Sequence, residues 1–350
     1  RTLVRRRQGL CRGQFGGLSP RHAHVKRPVV TDLGFESGGA HPTRRLMAQP
    51  SRLPSLDVGD VLVGNVDVHD HRLTRNVVHE TIDEGRGLVY VATGNAYADP
   101  APPTADAILA ISIDKGELVW SKQLTTPSDT WIGGCNPNTP NANCPEEVGP
   151  DFDFSASPVL THGKSGRELL VIPQKSGMAY ALDPANNGAL VWEYRAGSGS
   201  PVGGVWGAAV ADGVAFVAVG GYRAAETGGI HGIDIDTGQR LWFTPAQAPL
   251  CAAGPGCGPT QSAAVTAIPG AVFSGSQDGG MRAYDANTGA ILWTFGANKD
   301  FDTINGVKAN GGSFDGAGPV VAGGMVYLLS GNSGFVGRPG NVLLAFELEK

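Results

Sequence analysis

Small apolar and polar residues alternate along this chain in short runs that recur at intervals. Runs such as GMAYALD and GGMRAYD change character at every second residue, which is the period of a β-strand. Each run leads into a turn sequence of the D-x-x-T-G type and then into a second short apolar run that ends on tryptophan. The pattern predicts a repeated unit of strand, turn and strand.

The repeat is most visible in a glycine that stands four residues before a tryptophan in four phrases: AISIDKGELVW ending at Trp120, ALDPANNGALVW at Trp192, GIDIDTGQRLW at Trp242 and AYDANTGAILW at Trp293. Units of roughly 40 to 50 residues built from short strands are typical of β-propeller blades. The glycine is suited to a positive φ, and the tryptophan is suited to wedging between neighbouring sheets. We predict an all-β protein, a β-propeller with about four to five blades forming a partial ring. The alternative is a β-sandwich.

Composition agrees with this prediction. The 350 residues include 52 Gly and 24 Pro, and only 17% of residues are charged, which suits many short strands joined by turns. The net charge of −5 argues against a nucleic-acid partner. No apolar run reaches the ~18 residues of a membrane-spanning helix, so no membrane span is predicted.

The N-terminal part of the chain differs from the rest. Its first 80 residues hold six of the eight His and none of the six Trp, and they are rich in Arg. We interpret residues 1–82 as a basic leader that is disordered or translated out of frame, and residues 83–350 as the propeller. The alternative is a basic arm that binds an acidic partner.

Four cysteines form two close pairs in polar loops. Cys135 and Cys144 enclose NPNTPNAN, and Cys251 and Cys257 enclose AAGPG, while Cys11 is left over. These spacings do not fit a zinc site, so we interpret both pairs as disulfides. Disulfides indicate an oxidising compartment, and we expect a periplasmic or secreted protein.

From residue 83 onward the chain resembles a known family. DEGRGLVYVATGNAY is similar to the blade that carries the TGN motif in alcohol dehydrogenases dependent on pyrroloquinoline quinone (PQQ), and the tryptophan phrase resembles their blade-docking motif. GPDFDFSASPVL, IPQKSGMAYALDP, GGVWGAAVADG and GGSFDGAGPVVAGGMVYLLSGN resemble the polyvinyl-alcohol dehydrogenase branch. The resemblance covers residues 83–350. It implies a propeller of the quinoprotein alcohol dehydrogenase type with PQQ and Ca²⁺ as cofactors.

The resemblance also implies roles for three residues. Asn95 in ATGN matches an amide ligand of Ca²⁺ in the cofactor site, and Asp153 in DFDF matches the catalytic base, which also contacts the metal. Lys175 in QKSG matches the basic residue that hydrogen-bonds the quinone oxygens. From the residues alone, each is equally an ordinary turn or capping residue. Asp151 is the rival to Asp153, because residues two apart on an extended strand point to the same side.

Three other residues receive weaker interpretations. Trp206 in GGVWG is interpreted as blade packing rather than as a cofactor contact. Asp315 and Asn310 lie in a Gly-rich stretch near the C-terminus and are assigned no role. The loop that carries Cys135 precedes Asp153, and we hypothesise that it forms part of the substrate entrance.

The resemblance implies oxidation of a primary or secondary alcohol, possibly a polymeric one, by hydride transfer to the quinone with Asp153 as base. Because no C-x-x-C-H haem motif is present, a separate electron acceptor such as a cytochrome c is expected. Two alternatives stay open. One is a non-catalytic propeller scaffold for protein–protein interaction, and the other is an inactive C-terminal fragment, because several of the family's cofactor contacts have no match in residues 1–82.

Overall fold

The structure, a computed structural model, describes residues 29–32 (backbone only), 80–125, 130–133, 135, 144–200, 203–204, 206–222, 228–331 and 337–347. Within these residues the fold is built from antiparallel sheets of four strands. The helical structure described is a short 3₁₀ turn, Pro184–Asn186. No helix among the described residues has the length and hydropathy needed to cross a membrane.

Five four-stranded sheets form the blades. The last sheet takes its outer strand from the N-terminal part of the chain. Blade 5 contains β1 (Val29–Asp32) and blade 1 contains β2 (Glu80–Asp83), β3 (Leu88–Ala92), β4 (Ala107–Ser112) and β5 (Leu118–Gln123). Blade 2 contains β6 (Val159–His162), β7 (Glu168–Pro173), β8 (Met178–Asp183) and β9 (Ala189–Arg195), and blade 3 contains β10 (Ala209–Ala211), β11 (Val214–Gly220), β12 (Gly228–Asp234) and β13 (Arg240–Pro245). Blade 4 contains β14 (Thr266–Ile268), β15 (Ala271–Gly275), β16 (Gly280–Asp285) and β17 (Ile291–Gly296). A hairpin of β18 (Asp300–Asp302) and β19 (Lys308–Asn310) follows, and blade 5 is completed by β20 (Val320–Ala322), β21 (Met325–Ser330) and β22 (Val342–Glu347).

The prediction of an all-β propeller with about four to five blades is confirmed by these sheets. In blades 1 to 4 consecutive strands pair in chain order, as a meander. The first strands of successive blades also contact one another, β2 with β6, β6 with β10, and β10 with β14. First strands that meet in this way line a common axis, so the Trp-bearing fourth strands lie at the outer edge.

Two observations concern the predicted boundary at residue 82. β1 pairs with β22 in the register Val29 to Ala345, and β2 begins at Glu80. Residues 29–32 and 80–82 are therefore strands within blades. The rest of the predicted leader, including Cys11, lies outside the described residues, and the division at residue 82 stays a prediction.

The tryptophan phrase is explained by contacts between blades. Trp192 Nε1 donates to the carbonyl oxygen of Ile235 (2.7 Å), and Trp242 Nε1 donates to that of Ala286 (3.0 Å), each in the next blade. The indole of Trp242 also lies so close to Gly289 that a Cβ there would stand 2.4 Å from the ring. The phrases that end at Trp192 and Trp242 thus each supply a tryptophan to the next blade and a glycine to the previous one.

Apolar clusters fill the spaces between adjacent blades. Buried side chains of neighbouring sheets interdigitate there, as in any sheet-on-sheet core. Each cluster combines residues of two adjacent blades, for example Tyr90 and Leu170, Val171 and Val217, Phe216 and Val272, and Phe273 and Leu344. The core is therefore radial, and it leaves the inner ends of the blades for polar groups.

Candidate functional site

Two short segments of each blade face the same end of the axis. The entry segment is the stretch just before the first strand, and the inner turn is the connection between the second and third strands. In blade 2 these are residues 151–154 and 174–177, and Lys175 N donates to the carbonyl oxygen of Asp153 (3.2 Å). The inner turn closes through a hydrogen bond from Gly177 N to Gln174 O (3.0 Å).

The same entry segment joins blade 2 to blade 1. Phe154 N donates to the carbonyl oxygen of Thr93 (3.3 Å), the residue that follows β3. Asn95 lies two residues further along this inner turn and is fully buried. The three residues predicted to act together, Asn95, Asp153 and Lys175, are therefore on three segments that meet at the axis.

Lys175 and two carboxylates form a buried charged cluster. Lys175 Nζ lies 2.5 Å from Asp153 Oδ1 and 3.0 Å from Asp151 Oδ1. The side chain of Asp153 is fully buried, and those of Asp151 and Lys175 are 9% and 13% exposed. Charges at this depth are stable only when they are paired.

The geometry of Asp151 differs from the expectation. Residues 151–153 were expected to be extended, but Asp151 has φ of 64°, a left-handed conformation. Asp and Asn adopt this conformation more readily than most residues do. The chain turns at Asp151, and the side chains of Asp151 and Asp153 both contact Lys175. The rivalry between Asp151 and Asp153 thus becomes a shared ion-pair cluster, in which Asp153 is the more deeply buried member.

The charges of this cluster act on neighbouring groups. Burial lowers the pKa of the Lys175 ammonium, but the negative charges of Asp153 and Asp151 outweigh burial and raise that pKa above its usual range. Lys175 is therefore a permanent cation. Burial raises the pKa of Tyr97, the carboxylates of Asp153 and Asp151 raise it further, and Lys175 opposes them. Tyr97 stays protonated and can donate a hydrogen bond from the rim of the cluster.

Tyr97 was not identified from the sequence, although it lies only two residues after Asn95. An aromatic residue after an ATGN turn carries no periodic signal. Its electrostatic coupling to Asp153 arises only because the inner turn of blade 1 lies beside the entry segment of blade 2.

A second polar junction lies on the entry segments of blades 3, 4 and 5. Trp206 Nε1 donates to Asp315 Oδ1 (3.0 Å), and Ser262 Oγ donates to the same oxygen (2.6 Å). Asp315 is buried at 5% exposure. The interpretation of Trp206 as blade packing is consistent with this contact. Asp315 was assigned no role from the sequence, and in the structure it joins the three blades.

Asn310 lies apart from both clusters. Its Nδ2 donates to the carbonyl oxygen of Pro339 (3.1 Å), and its backbone N donates to Asn341 Oδ1 (2.9 Å). Asn310 belongs to strand β19, and these bonds fix the hairpin to blade 5. It therefore has a structural explanation.

Both predicted cysteine pairs are disulfides in the structure, Cys135–Cys144 and Cys251–Cys257. Each lies in a connection that leads to the next entry segment. Arg338 Nη2 donates to Ala252 O (2.9 Å) and Arg338 Nε donates to Pro255 O (3.3 Å), so the second loop is tied to blade 5. The loops therefore lie on the same end of the propeller as the charged cluster.

Comparison with known proteins identifies the family of this chain. The family model PQQ_2, described as "Outer membrane protein assembly factor BamB", matches three overlapping stretches, residues 105–267, 174–302 and 226–347. The chain belongs to this family. The resemblance to polyvinyl-alcohol dehydrogenases predicted from the motifs is confirmed by two curated relatives.

Two curated relatives carry the name polyvinylalcohol dehydrogenase. One, from Pseudomonas sp, is 43% identical over 282 residues, covering 77% of this chain and 44% of the relative. The other, from Sphingopyxis sp. (strain 113P3), is 41% identical over 290 residues, covering 78% of this chain and 44% of the relative. The chain spans less than half the length of these relatives.

A solved structure supports the fold. The quinohemoprotein alcohol dehydrogenase ADHIIG from Pseudomonas putida HK5 superposes with a TM-score of 0.51 at 17% identity, covering 77% of this chain and 48% of that one. At this identity the likeness concerns the fold alone.

Proposed function

We propose that the chain carries the quinone-binding and proton-accepting part of a PQQ- and calcium-dependent alcohol dehydrogenase. Its substrate would be a primary or secondary alcohol, and polyvinyl alcohol is the candidate that the names of the two curated relatives suggest. The observation that carries the proposal is the buried Asp153–Lys175–Asp151 cluster at the axial end of blade 2. Burying such a cluster costs several kcal/mol per ion in desolvation, and its place at the axial end of the blade supports a role in binding or catalysis.

The residues fit the quinone in chemical terms. An ammonium has three N–H donors, and the carboxylates of Asp153 and Asp151 use two of those on Lys175. The third is available to a quinone oxygen. PQQ would supply the hydride acceptor, taking the hydrogen and two electrons from the alcohol carbon while the hydroxyl proton leaves separately.

Asp153 has the environment of a proton acceptor. Lys175 stabilises the negative charge of its carboxylate, so Asp153 is held in the form that can accept a proton. The alcohol would lose its hydroxyl proton to Asp153 and a hydride from the carbon that bears the hydroxyl group. An aldehyde or a ketone would remain. The positive charge of Lys175 would favour the negative charge that the quinone oxygens gain. The two electrons would then pass to a separate acceptor such as a cytochrome c.

Calcium would be held by oxygens of Asn95 and Asp153. Amide and carboxylate oxygens are suitable ligands for this hard cation, which takes about six to eight of them. Within the described part of the chain, no group of three or more His, Cys, Asp or Glu side chains is arranged to hold a metal alone. Calcium binding would therefore depend on the cofactor's own oxygens and on further ligands.

The disulfides support a periplasmic or secreted location for this activity. The Cys135–Cys144 disulfide lies in the connection that leads to Asp153, so we propose that this loop borders the substrate entrance. A Cys135→Ser variant with unchanged substrate range and stability would contradict that role.

A second candidate is a non-catalytic scaffold. The description of the matching family as an outer membrane protein assembly factor favours it. An inactive fragment of a quinoprotein is the related possibility. The scaffold and the enzyme differ in what they require of the axis, because a scaffold functions without a buried base and cation.

The test is alcohol-dependent dye reduction by the full chain with PQQ and Ca²⁺ added. Asp153→Asn should lower turnover by about 10²- to 10⁴-fold, the usual contribution of a general base, with PQQ binding close to that of the wild type. Asp302→Asn changes an exposed carboxylate in the same way and should have no effect. Asp151→Asn should have a smaller effect than Asp153→Asn.

Three outcomes would overturn parts of the proposal. Unchanged turnover in Asp153→Asn would remove Asp153 as the base. Retention of PQQ after chelation of Ca²⁺ would remove the metal role of Asn95. A full chain that neither binds PQQ nor reduces the dye would favour the scaffold.

A further inference from the structure

The backbone arrangement that presents Asp153 and Lys175 is repeated in other blades. In blade 4, Gln277 N donates to Thr260 O (2.9 Å), and in blade 5, Gly331 N donates to Ser313 O (2.9 Å). Each bond joins an inner turn to an entry segment, as the bond from Lys175 N to Asp153 O does in blade 2. Gln277 therefore occupies in blade 4 the position that Lys175 occupies in blade 2.

A second bond confirms the correspondence. Phe314 N donates to Ser276 O (3.1 Å), which matches the bond from Phe154 N to Thr93 O between blades 1 and 2. Ser276 is the residue immediately before Gln277. The inner turn of blade 4 therefore lies beside the entry segment of blade 5, just as that of blade 1 lies beside Asp153.

The side chain of Gln277 has an unused donor. The residue is 2% exposed, and its Nε2 is buried with no hydrogen-bond partner among the residues the structure describes. Its backbone is fixed at both ends, since its N donates to Thr260 O and its O accepts from Ser313 Oγ (2.5 Å). A buried amide donor without an acceptor is unfavourable, so its retention calls for a ligand.

The neighbouring carboxylate does not supply that acceptor. Asp278 is fully buried, and its Oδ2 accepts from Arg282 Nη2 (3.2 Å) and from Leu250 N (2.9 Å). Its Oδ1 accepts from Ser276 Oγ (2.5 Å) and from Gly280 N (2.7 Å). Asp278 is therefore committed to the inside of blade 4.

We infer that Gln277 is a further cofactor-binding residue, whose Nε2 donates a hydrogen bond to a carbonyl or carboxylate oxygen of the quinone. The inference rests on the proposed function. It adds a neutral donor on blade 4 to the cationic donor on blade 2, on the same backbone position. Such a donor recognises oxygen acceptors and adds no charge.

The test is the dissociation constant of PQQ, measured by titration of the full chain in the presence of Ca²⁺. Gln277→Met keeps the length of the side chain and removes the donor, and it should weaken binding by about 5- to 12-fold, the usual contribution of one hydrogen bond. Gln277→Glu places a carboxylate against the cofactor's oxygens and should weaken binding further. Gln239→Met alters an exposed glutamine and should leave binding unchanged.

Thermal unfolding without cofactor separates a ligand contact from a structural one. Because Nε2 has no described partner, cofactor-free Gln277→Met should melt at or above the wild-type temperature. Unchanged affinity in Gln277→Met, or a fall in its cofactor-free melting temperature beyond that of Gln239→Met, would overturn the inference. If the wild type itself binds no PQQ, the proposed function fails and this inference fails with it.

Discussion

The outer junctions between blades and the inner cluster at the axis use the same repeated backbone in opposite ways. At the junctions the residues repeat with the fold, because Trp120, Trp192 and Trp242 each meet a glycine of the next blade. At the axis the backbone repeats and the side chains do not, since the position of Lys175 is Gln277 in blade 4 and Gly331 in blade 5. Stability is thus distributed over equivalent contacts, whereas the candidate chemistry is concentrated in blade 2.

The largest effect is expected at a junction tryptophan. Trp242→Ala removes a side chain that is 92% buried, packs on Gly289 and hydrogen-bonds Ala286 O. It should lower the free energy of unfolding by about 3–5 kcal/mol, as for other buried aromatic residues, measured by chemical denaturation. Leu241→Ala alters the adjacent side chain, which is half exposed, and should cost less than about 1 kcal/mol. Equal losses would mean that the tryptophan does not join the blades.

A smaller effect is expected from the glycine of the same junction. Gly289 has φ of 72°, and a Cβ there would lie 2.4 Å from the Trp242 ring. Gly289→Ala should cost about 1–2 kcal/mol for the left-handed backbone and about 1–3 kcal/mol more for overpacking.

Gly116 offers a matched control for this substitution. It is the equivalent turn residue of blade 1, with φ of 67°, and a Cβ there would meet no atom of the described residues within 4 Å. Gly116→Ala should therefore show the backbone cost alone. If the two variants lose the same stability in denaturation, the close contact with Trp242 is not a constraint.

The smallest effect concerns pH. His231 in blade 3 is buried, stacks on Phe243 at 4.4 Å, and lies 3.0 Å from the hydroxyl of Tyr194 in blade 2. Burial, with the charge of Arg240, lowers the pKa of His231 to about 4 from its usual 6.5. The unfolded chain therefore takes up a proton at a higher pH than the folded one.

This difference in pKa predicts a loss of stability in acid. The contribution is complete above pH 6.5 and is lost as the pH falls towards 4, by up to about 3 kcal/mol. His231→Gln should flatten the dependence of the unfolding free energy on pH in that window. A slope in His231→Gln equal to that of the wild type would contradict the account.

The outer junctions could be predicted from the sequence because they are periodic. The spacing of Gly and Trp at Gly188 and Trp192 repeats at Gly238 and Trp242, and any repeated pair of this kind indicates repeated packing. Asn95, Asp153 and Lys175 were found by their resemblance to family motifs, and the structure brings their segments together. Their catalytic and binding roles stay predictions.

The rest of the axis could not be predicted because its contacts join residues far apart in the sequence. Trp206 and Asp315 are 109 residues apart, and their hydrogen bond joins the entry segments of two different blades. Tyr97 and Gln277 are recognisable only after the inner turns have been placed next to the entry segments. The left-handed conformation of Asp151 also has no signal in DFDF, so its approach to Lys175 emerges only in three dimensions.

The central claim is that the axial end of blade 2 binds a quinone through Lys175. Titration of the full chain with PQQ tests it most directly, with and without Ca²⁺, under conditions where circular dichroism shows each variant to be folded. The account predicts saturable, Ca²⁺-dependent binding that Lys175→Met weakens by roughly 10- to 100-fold, the contribution of a charged hydrogen bond, and that Lys115→Met on the surface leaves unchanged. Absence of binding in the wild type, or equal affinity in Lys175→Met, would contradict it.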